Sequence, residues 1–144
     1  KPHYKKRVES LLSDLGARLV PYQGAERLFD TYSQVDGVIS PRFLDSSYNL
    51  GHTEWKITLG MACGCKALAS PVPSYRDVWD RSSGGEIVLC DTQDDWDNAL
   101  ESILSFGVDQ DVRACSKRLV ERHYSSKVIA DQHSICLRRI LPDW

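Results

Sequence analysis

Hydrophobic positions near the start of the chain recur at helical spacing. Val8, Leu11, Leu12 and Leu15 share one face and the pattern stops at Gly16, which predicts an amphipathic helix from about Tyr4 to Gly16 with a glycine stop. The period then shortens. Arg18 to Tyr22 reads as a strand, Leu28, Phe29, Tyr32 and Val35 mark a second helix, and Asp36-Gly37 hands over to a strand from Val38 to Ser40 that Pro41 ends. From Pro41 to His52 there is no periodicity, which predicts a loop long enough to carry function. Thr53 is the expected N-cap of the next helix, built on Trp55, Ile57, Leu59, Met61 and Ala62 and stopped at Gly64. Ala67 to Ser70 then reads as a short buried strand closed by Pro71 and Pro73.

The second half of the chain holds one more strand. Ser74 to Asp80 reads as a helical turn or two, Ser82 to Gly85 as a tight turn and Glu86 to Cys90 as the strand. Three helices follow. Trp96, Ala99, Leu100, Ile103 and Leu104 define the first, ending near Gly107; Val112, Cys115, Leu119 and Val120 the second; Val128, Ile129, Gln132, Ile135, Cys136 and Ile140 the last. Strands alternating with helices predict an α/β fold, with a parallel sheet covered on both faces. Ligands of such sheets bind at the carboxyl ends of the strands, here Pro41 to His52 and Pro71 to Tyr75.

Composition narrows the class. A chain of 144 residues, 42% hydrophobic and 26% charged, is expected to form one domain over residues 1–144 and excludes a disordered tail, a collagen-like fibre or a Cys-dense scaffold. The apolar runs are far shorter than the ~20 residues of a membrane span. Net charge is only −2, so no nucleic-acid partner is expected. The charges are segregated, however: Arg76 to Asp111 carries two arginines against ten acids, a net of −8, and Val112 to Arg139 carries seven basic residues against two acids, a net of +5. Two readings of this stay open, solvated helix faces of opposite sign or a basic face resting on an anionic lipid surface, a peripheral membrane contact. Five cysteines, an odd number scattered among apolar neighbours, predict a reduced, cytoplasmic compartment. No glycosylation acceptor and no charged-then-apolar leader are read, and a first residue of Lys1 predicts a piece excised from a longer protein.

Dinucleotide fingerprints, Walker loops, zinc-type cysteine pairs and nucleophile elbows are missing from the sequence, which sets those classes aside. Cys63 and Cys65 flank a helix end and a strand start and read as core-facing thiols; no metal ligand set and no base or nucleophile emerges. One anion site does. The helix beginning near Thr53 would present unpaired backbone N–H groups, and a phosphate there could meet the Thr53 hydroxyl and the Lys56 ammonium, with His52 at the rim. An ordinary capped helix with a solvated lysine is the alternative.

The run from Tyr48 to Gly64, followed by Cys65 to Tyr75, resembles the C-terminal domain of the group 1, retaining, GT-B fold glycosyltransferases. Ser40-Pro41 matches the family's strand end, Lys56 its helix lysine, Met61-Ala62-Cys63-Gly64 its Met-Ala-x-Gly, and Ala67-Leu68-Ala69-Ser70 the strand after it. Tyr48-Asn49, His52-Thr53 and Lys56 fall at the spacing of a subset that reads Phe-Asn, Lys-Ser and Lys, and Pro71 to Arg76 is similar to that subset's continuation. Gly84-Gly85, Trp96 with Ala99-Leu100, and His123-Tyr124-Ser125 resemble the family's tail, so the likeness covers nearly the whole chain.

The resemblance implies a Rossmann-like domain, the nucleotide-sugar-binding half of a GT-B transferase that lacks its first strands. The missing strands would lie between Arg18–Tyr22 and Val38–Ser40, supplied by a longer parent unless the four strands re-pair. It implies that Lys56, Thr53 and His52 contact the donor's diphosphate, with Arg42 and Asn49 beside them and Ser74 and Tyr75 lining the sugar side. No metal or other cofactor is called for. The acceptor, a glycan or lipid-linked glycan, would come to an N-terminal transferase domain of the parent chain. The family's paired carboxylates would fall at Gly51 and Leu59, so both are absent. That departure keeps a second function open, a degenerate module that binds a nucleotide-sugar or a partner without turnover.

Overall fold

The computed structural model describes residues 2–18, 20, 21 and 24–141. Eleven elements follow in order: α1 (Pro2–Asp14), α2 (Ala25–Ser33), β1 (Gly37–Ser40), α3 (Ser47–Leu50), α4 (Trp55–Ala62), β2 (Lys66–Ala69), α5 (Pro73–Asp80), β3 (Ile87–Leu89), α6 (Gln93–Phe106), α7 (Gln110–Tyr124) and α8 (Ser126–Ile140). The strands form a parallel sheet in the order β1-β2-β3, with Val38 opposite Ala67 and Leu68 opposite Val88. The fold is therefore α/β, a small parallel sheet flanked by helices, as the alternation of strand and helix predicts.

Strand alternation divides the core into two layers. On one face Ala67, Ala69 and Ile87 meet Ile57 and Met61 of α4, Leu119 of α7 and Tyr75 and Val78 of α5; on the other Leu68 and Cys90 meet Ala99 of α6, with Trp96 and Ile103 around them. Gly60 lets α4 lie close on β1, since a Cβ there would sit 2.3 Å from Cγ1 of Val38. α1 ends at Gly16, φ +66°, where the Gly16 and Ala17 N–H groups donate to Ser13 and Leu12. That double bond is the glycine C-terminal motif the sequence announces. α6 starts on a reciprocal Thr92/Asp95 capping box. Asp77 of α5 holds Arg81 through two bonds and accepts from the Tyr124 hydroxyl of α7.

The turn before β3 is built around a buried carboxylate. Glu86 is only 2% exposed, and its oxygens accept from the backbone N–H groups of Ser83, Gly84 and Gly85 at 2.8–3.0 Å. Burial opposes its ionisation, but the three donors outweigh that cost and its pKa lies below the ordinary glutamate value. Gly84, at φ +110°, allows the donors to converge.

Three expectations need correction. No strand forms at Arg18, Val20 or Pro21; Leu19 and Tyr22 lie outside the described residues. Pro21 has no N–H to give a ladder and Val20 is exposed. The sheet therefore has three described strands rather than four, and they do not re-pair. The 41–52 segment contains a one-turn helix, α3, too short to leave a periodic signal. Thr53 does not cap α4: the N-cap is Glu54, whose carbonyl accepts from Ile57 and Thr58, and no side-chain cap bond is made.

Candidate functional site

β1 and β2 end side by side, and the residues just beyond them are stitched together. The Ser70 N–H donates to the Ser40 carbonyl at 3.3 Å, the Arg42 N–H donates to the Ser70 hydroxyl at 2.8 Å, and the buried Ser40 hydroxyl pairs with the Tyr75 phenol at 2.8 Å. The Ser74 hydroxyl donates to the His52 carbonyl at 2.5 Å. These bonds hold the 41–52 segment over the carboxyl ends of the strands, the place the parallel-sheet rule indicates.

Three nitrogenous side chains come from the residues around these strand ends. His52 lies on the connection between α3 and α4, Lys56 in the first turn of α4, and Arg42 two residues after β1. Burial lowers the His52 pKa first, and the positive charges of Arg42 and Lys56 lower it further, so the imidazolium form is disfavoured there. The Nε2 of His52 and the Nε of Arg42 are both buried without a hydrogen-bond partner among the described residues. Buried polar atoms are rarely left so, because each forfeits a hydrogen bond it would have in water. Arg42 also lines a cavity of about 280 Å³ with Pro41, Phe43, Leu44, Ser70, Cys90, Asp91 and Trp96. A shallower groove of about 480 Å³, holding Lys56, Trp55 and Leu59, runs along β1.

The predicted site residues thus divide. Lys56, His52, Arg42 and Ser74 gather at the strand ends; Asn49 is half-buried on α3 beside them, and Thr53 is exposed in the connection before α4. Tyr75 does not line a ligand surface. It is fully buried, faces the core and has its hydroxyl on Ser40, so its role is to tie α5 to the end of β1. Phe43, Trp96 and Asp91 were not singled out by sequence for this place; Trp96 reads there as the first apolar position of a helix and as part of the resemblance to the family's tail. Cys65 is buried, donates to the Tyr32 carbonyl at 3.2 Å, and burial pushes its thiol pKa up to about 11. Burial raises Cys63 as well, so neither thiol is poised as a nucleophile or metal ligand. Among the described residues no group of three or more His, Cys, Asp or Glu could hold a metal ion, and no helix is long and apolar enough to cross a membrane.

Leu59 lines the groove along β1 and Gly51 caps α3, so neither position brings a carboxylate to the strand ends. No protein-family model, curated protein or solved structure matches the chain.

Proposed function

We propose that the chain is the donor-binding domain of a group 1, GT-B fold glycosyltransferase, which moves a sugar from a nucleotide-sugar to a glycan or lipid-linked acceptor in the cytoplasm. The observation that carries this reading is the placement of Arg42, His52 and Lys56 around the carboxyl end of β1, near enough for both cations to lower the His52 pKa, with two buried nitrogens that lack partners among the described residues. A diphosphate supplies what they lack: acceptor oxygens and negative charge, met by a cation at a helix start. Its departure in the reaction would be assisted electrostatically as charge accumulates on the leaving group. Phe43 and Trp96 offer aromatic surface for the rest of the nucleotide, the Ser74 side lies toward the sugar, and no metal or cofactor takes part. The acceptor and any general base would come from an N-terminal transferase domain.

A specific observation supports a second reading. Without carboxylates at positions 51 and 59, the domain can hold a nucleotide-sugar as a binding module without transferring it. Calorimetry with UDP, GDP and the corresponding nucleosides tests what both readings share. At least one diphosphate should bind and its nucleoside should bind far less well. Lys56→Ala should weaken the diphosphate by ~1–3 kcal/mol, the range for hydrogen bonds to charged groups. Equal affinity of wild type and variant removes the site. Sugar transfer by a chain carrying the upstream domain then separates enzyme from module.

A further inference from the structure

α8 is the least covered helix of the second half of the chain. None of its residues is buried; it packs on α7, and Ile140 is 74% exposed, with Ile135, Leu137 and Leu141 about half exposed. Ile129, Cys136, Leu137 and Ile140 are spaced by three, four, seven and eight residues, which places them on one face of the helix with the exposed His133 among them, and Leu141 follows at the C-cap. Lys127 and Arg138 border that face on one side and Arg139 lies beyond it on the other, all exposed, against the single acid Asp131. An apolar face between basic flanks is the pattern of a helix that lies in a membrane interface.

The charge of the rest of the molecule favours one occupant. The 112–139 segment carries +5 and the 76–111 segment −8; the second includes β3 and α6, which covers the sheet face opposite α4 and α7. Residues 112–139, which make up most of α7 and α8, are therefore basic, and an anionic surface attracts them, whereas Asp94, Asp95, Asp97 and Glu101 of α6 lie on the other sheet face; Asp77 of α5 and Asp111 of α7 are acids on the basic side. A neutral apolar partner would gain nothing from this. We propose that α8 docks on an anionic lipid surface, its Leu137, Ile140 and Leu141 side chains entering the headgroup region and Lys127, Arg138 and Arg139 meeting lipid phosphates and carboxylates.

Flotation of the full 144-residue chain with phosphatidylcholine vesicles, with and without phosphatidylserine, tests this. The chain should float with the phosphatidylserine vesicles, much less with phosphatidylcholine alone, and high salt should release it. Each arginine removed should weaken binding roughly fivefold, so R138Q/R139Q loses about 25-fold. L137S/I140S should also weaken it while leaving the circular dichroism and melting of the exposed helix's parent fold unchanged. Absence from both vesicle types overturns the proposal. So does equal flotation with both, or wild-type binding by the two double variants. Self-association that L137S/I140S abolishes, without flotation, would assign the face to a second copy instead. None of these outcomes depends on nucleotide binding, so failure here leaves the donor-site reading standing.

Discussion

Replacing Glu86 by Gln should unfold the turn before β3 more readily than its near-identical shape suggests. In the wild type one carboxylate oxygen accepts from Ser83 and the other from Gly84 and Gly85. A glutamine can turn its carbonyl toward the two glycines, but its NH₂ then faces the Ser83 N–H, donor against donor, inside a site from which water is excluded. One bond is lost outright and two lose their charge. With charge-assisted bonds at ~1.5–3 kcal/mol and neutral ones at ~1, and with the wild type's desolvation cost relieved, the net loss is about 2–4 kcal/mol. For a domain of this size that is a fall in melting temperature of roughly 6–14 °C.

The pH dependence gives a second, independent check. The folded-state pKa of Glu86 lies below the ordinary value of 4.5, so between the two values the unfolded chain binds more protons than the folded one. Stability from this group is fully present above about pH 4.5 and is lost as pH falls through the folded pKa. Reversible urea unfolding at pH 7 should show the full gap between wild type and E86Q, and the gap should narrow below about pH 4. Equal stability at pH 7, or a gap that does not change with acid, would refute the account of the turn.

Two further predictions concern β1. Gly60→Ala places a methyl group 2.3 Å from Cγ1 of Val38 and should cost ~1–3 kcal/mol in urea unfolding despite the better helix propensity of alanine; V38A should recover most of it in the double variant. Among the described residues β1 pairs only with β2, and Ile39 is 60% exposed, so the wild-type chain should self-associate through this edge and Ile39→Lys should return it to a monomer in sedimentation equilibrium. A concentration-independent monomer mass in the wild type would contradict that.

Most elements were legible because their burial follows their period. The apolar spacing around Met61, the proline stops at Pro41 and Pro71 and the glycine stop at Gly16 each place an element end within a residue or two. The failures are where local signals compete. Thr53 is a better cap than Glu54 by side-chain preference, yet α4 starts after Glu54, because the Ser74–His52 bond and the turn of α3 determine where the connection ends. Arg42 and His52 stand ten positions apart in an aperiodic segment; the sequence points to the segment but cannot say that a nitrogen of each is buried or that the Arg42 charge reaches His52. The Ser83-Gly84-Gly85-Glu86 run reads as a turn, while the capture of the carboxylate depends on Gly84 at positive φ.

The two ends of the sheet treat polar groups in opposite ways, and that contrast bears on where a ligand belongs. At the amino ends every strand approach is closed: Arg113 pairs with Asp36 before β1, Cys65 donates to the Tyr32 carbonyl before β2, and Glu86 collects three N–H groups before β3. The cavity of about 450 Å³ on that side is lined by Glu86 and by Arg81, which is committed to Asp77, and also by Arg118, Arg122 and His123. At the carboxyl ends, by contrast, lie two of the three buried side-chain atoms without a partner among the described residues. The third, the Ser116 hydroxyl, is fully buried within α7 against the core and is a single small polar group. Arg42 Nε and His52 Nε2 are different in kind: each is a buried nitrogen of a larger polar group, and no partner among the described residues replaces the hydrogen bond it would make in water. If stability alone had shaped this end, apolar side chains at positions 42 and 52 would serve better. His52→Leu should then raise the melting temperature while abolishing nucleoside diphosphate binding, an opposition that a purely structural histidine would not produce.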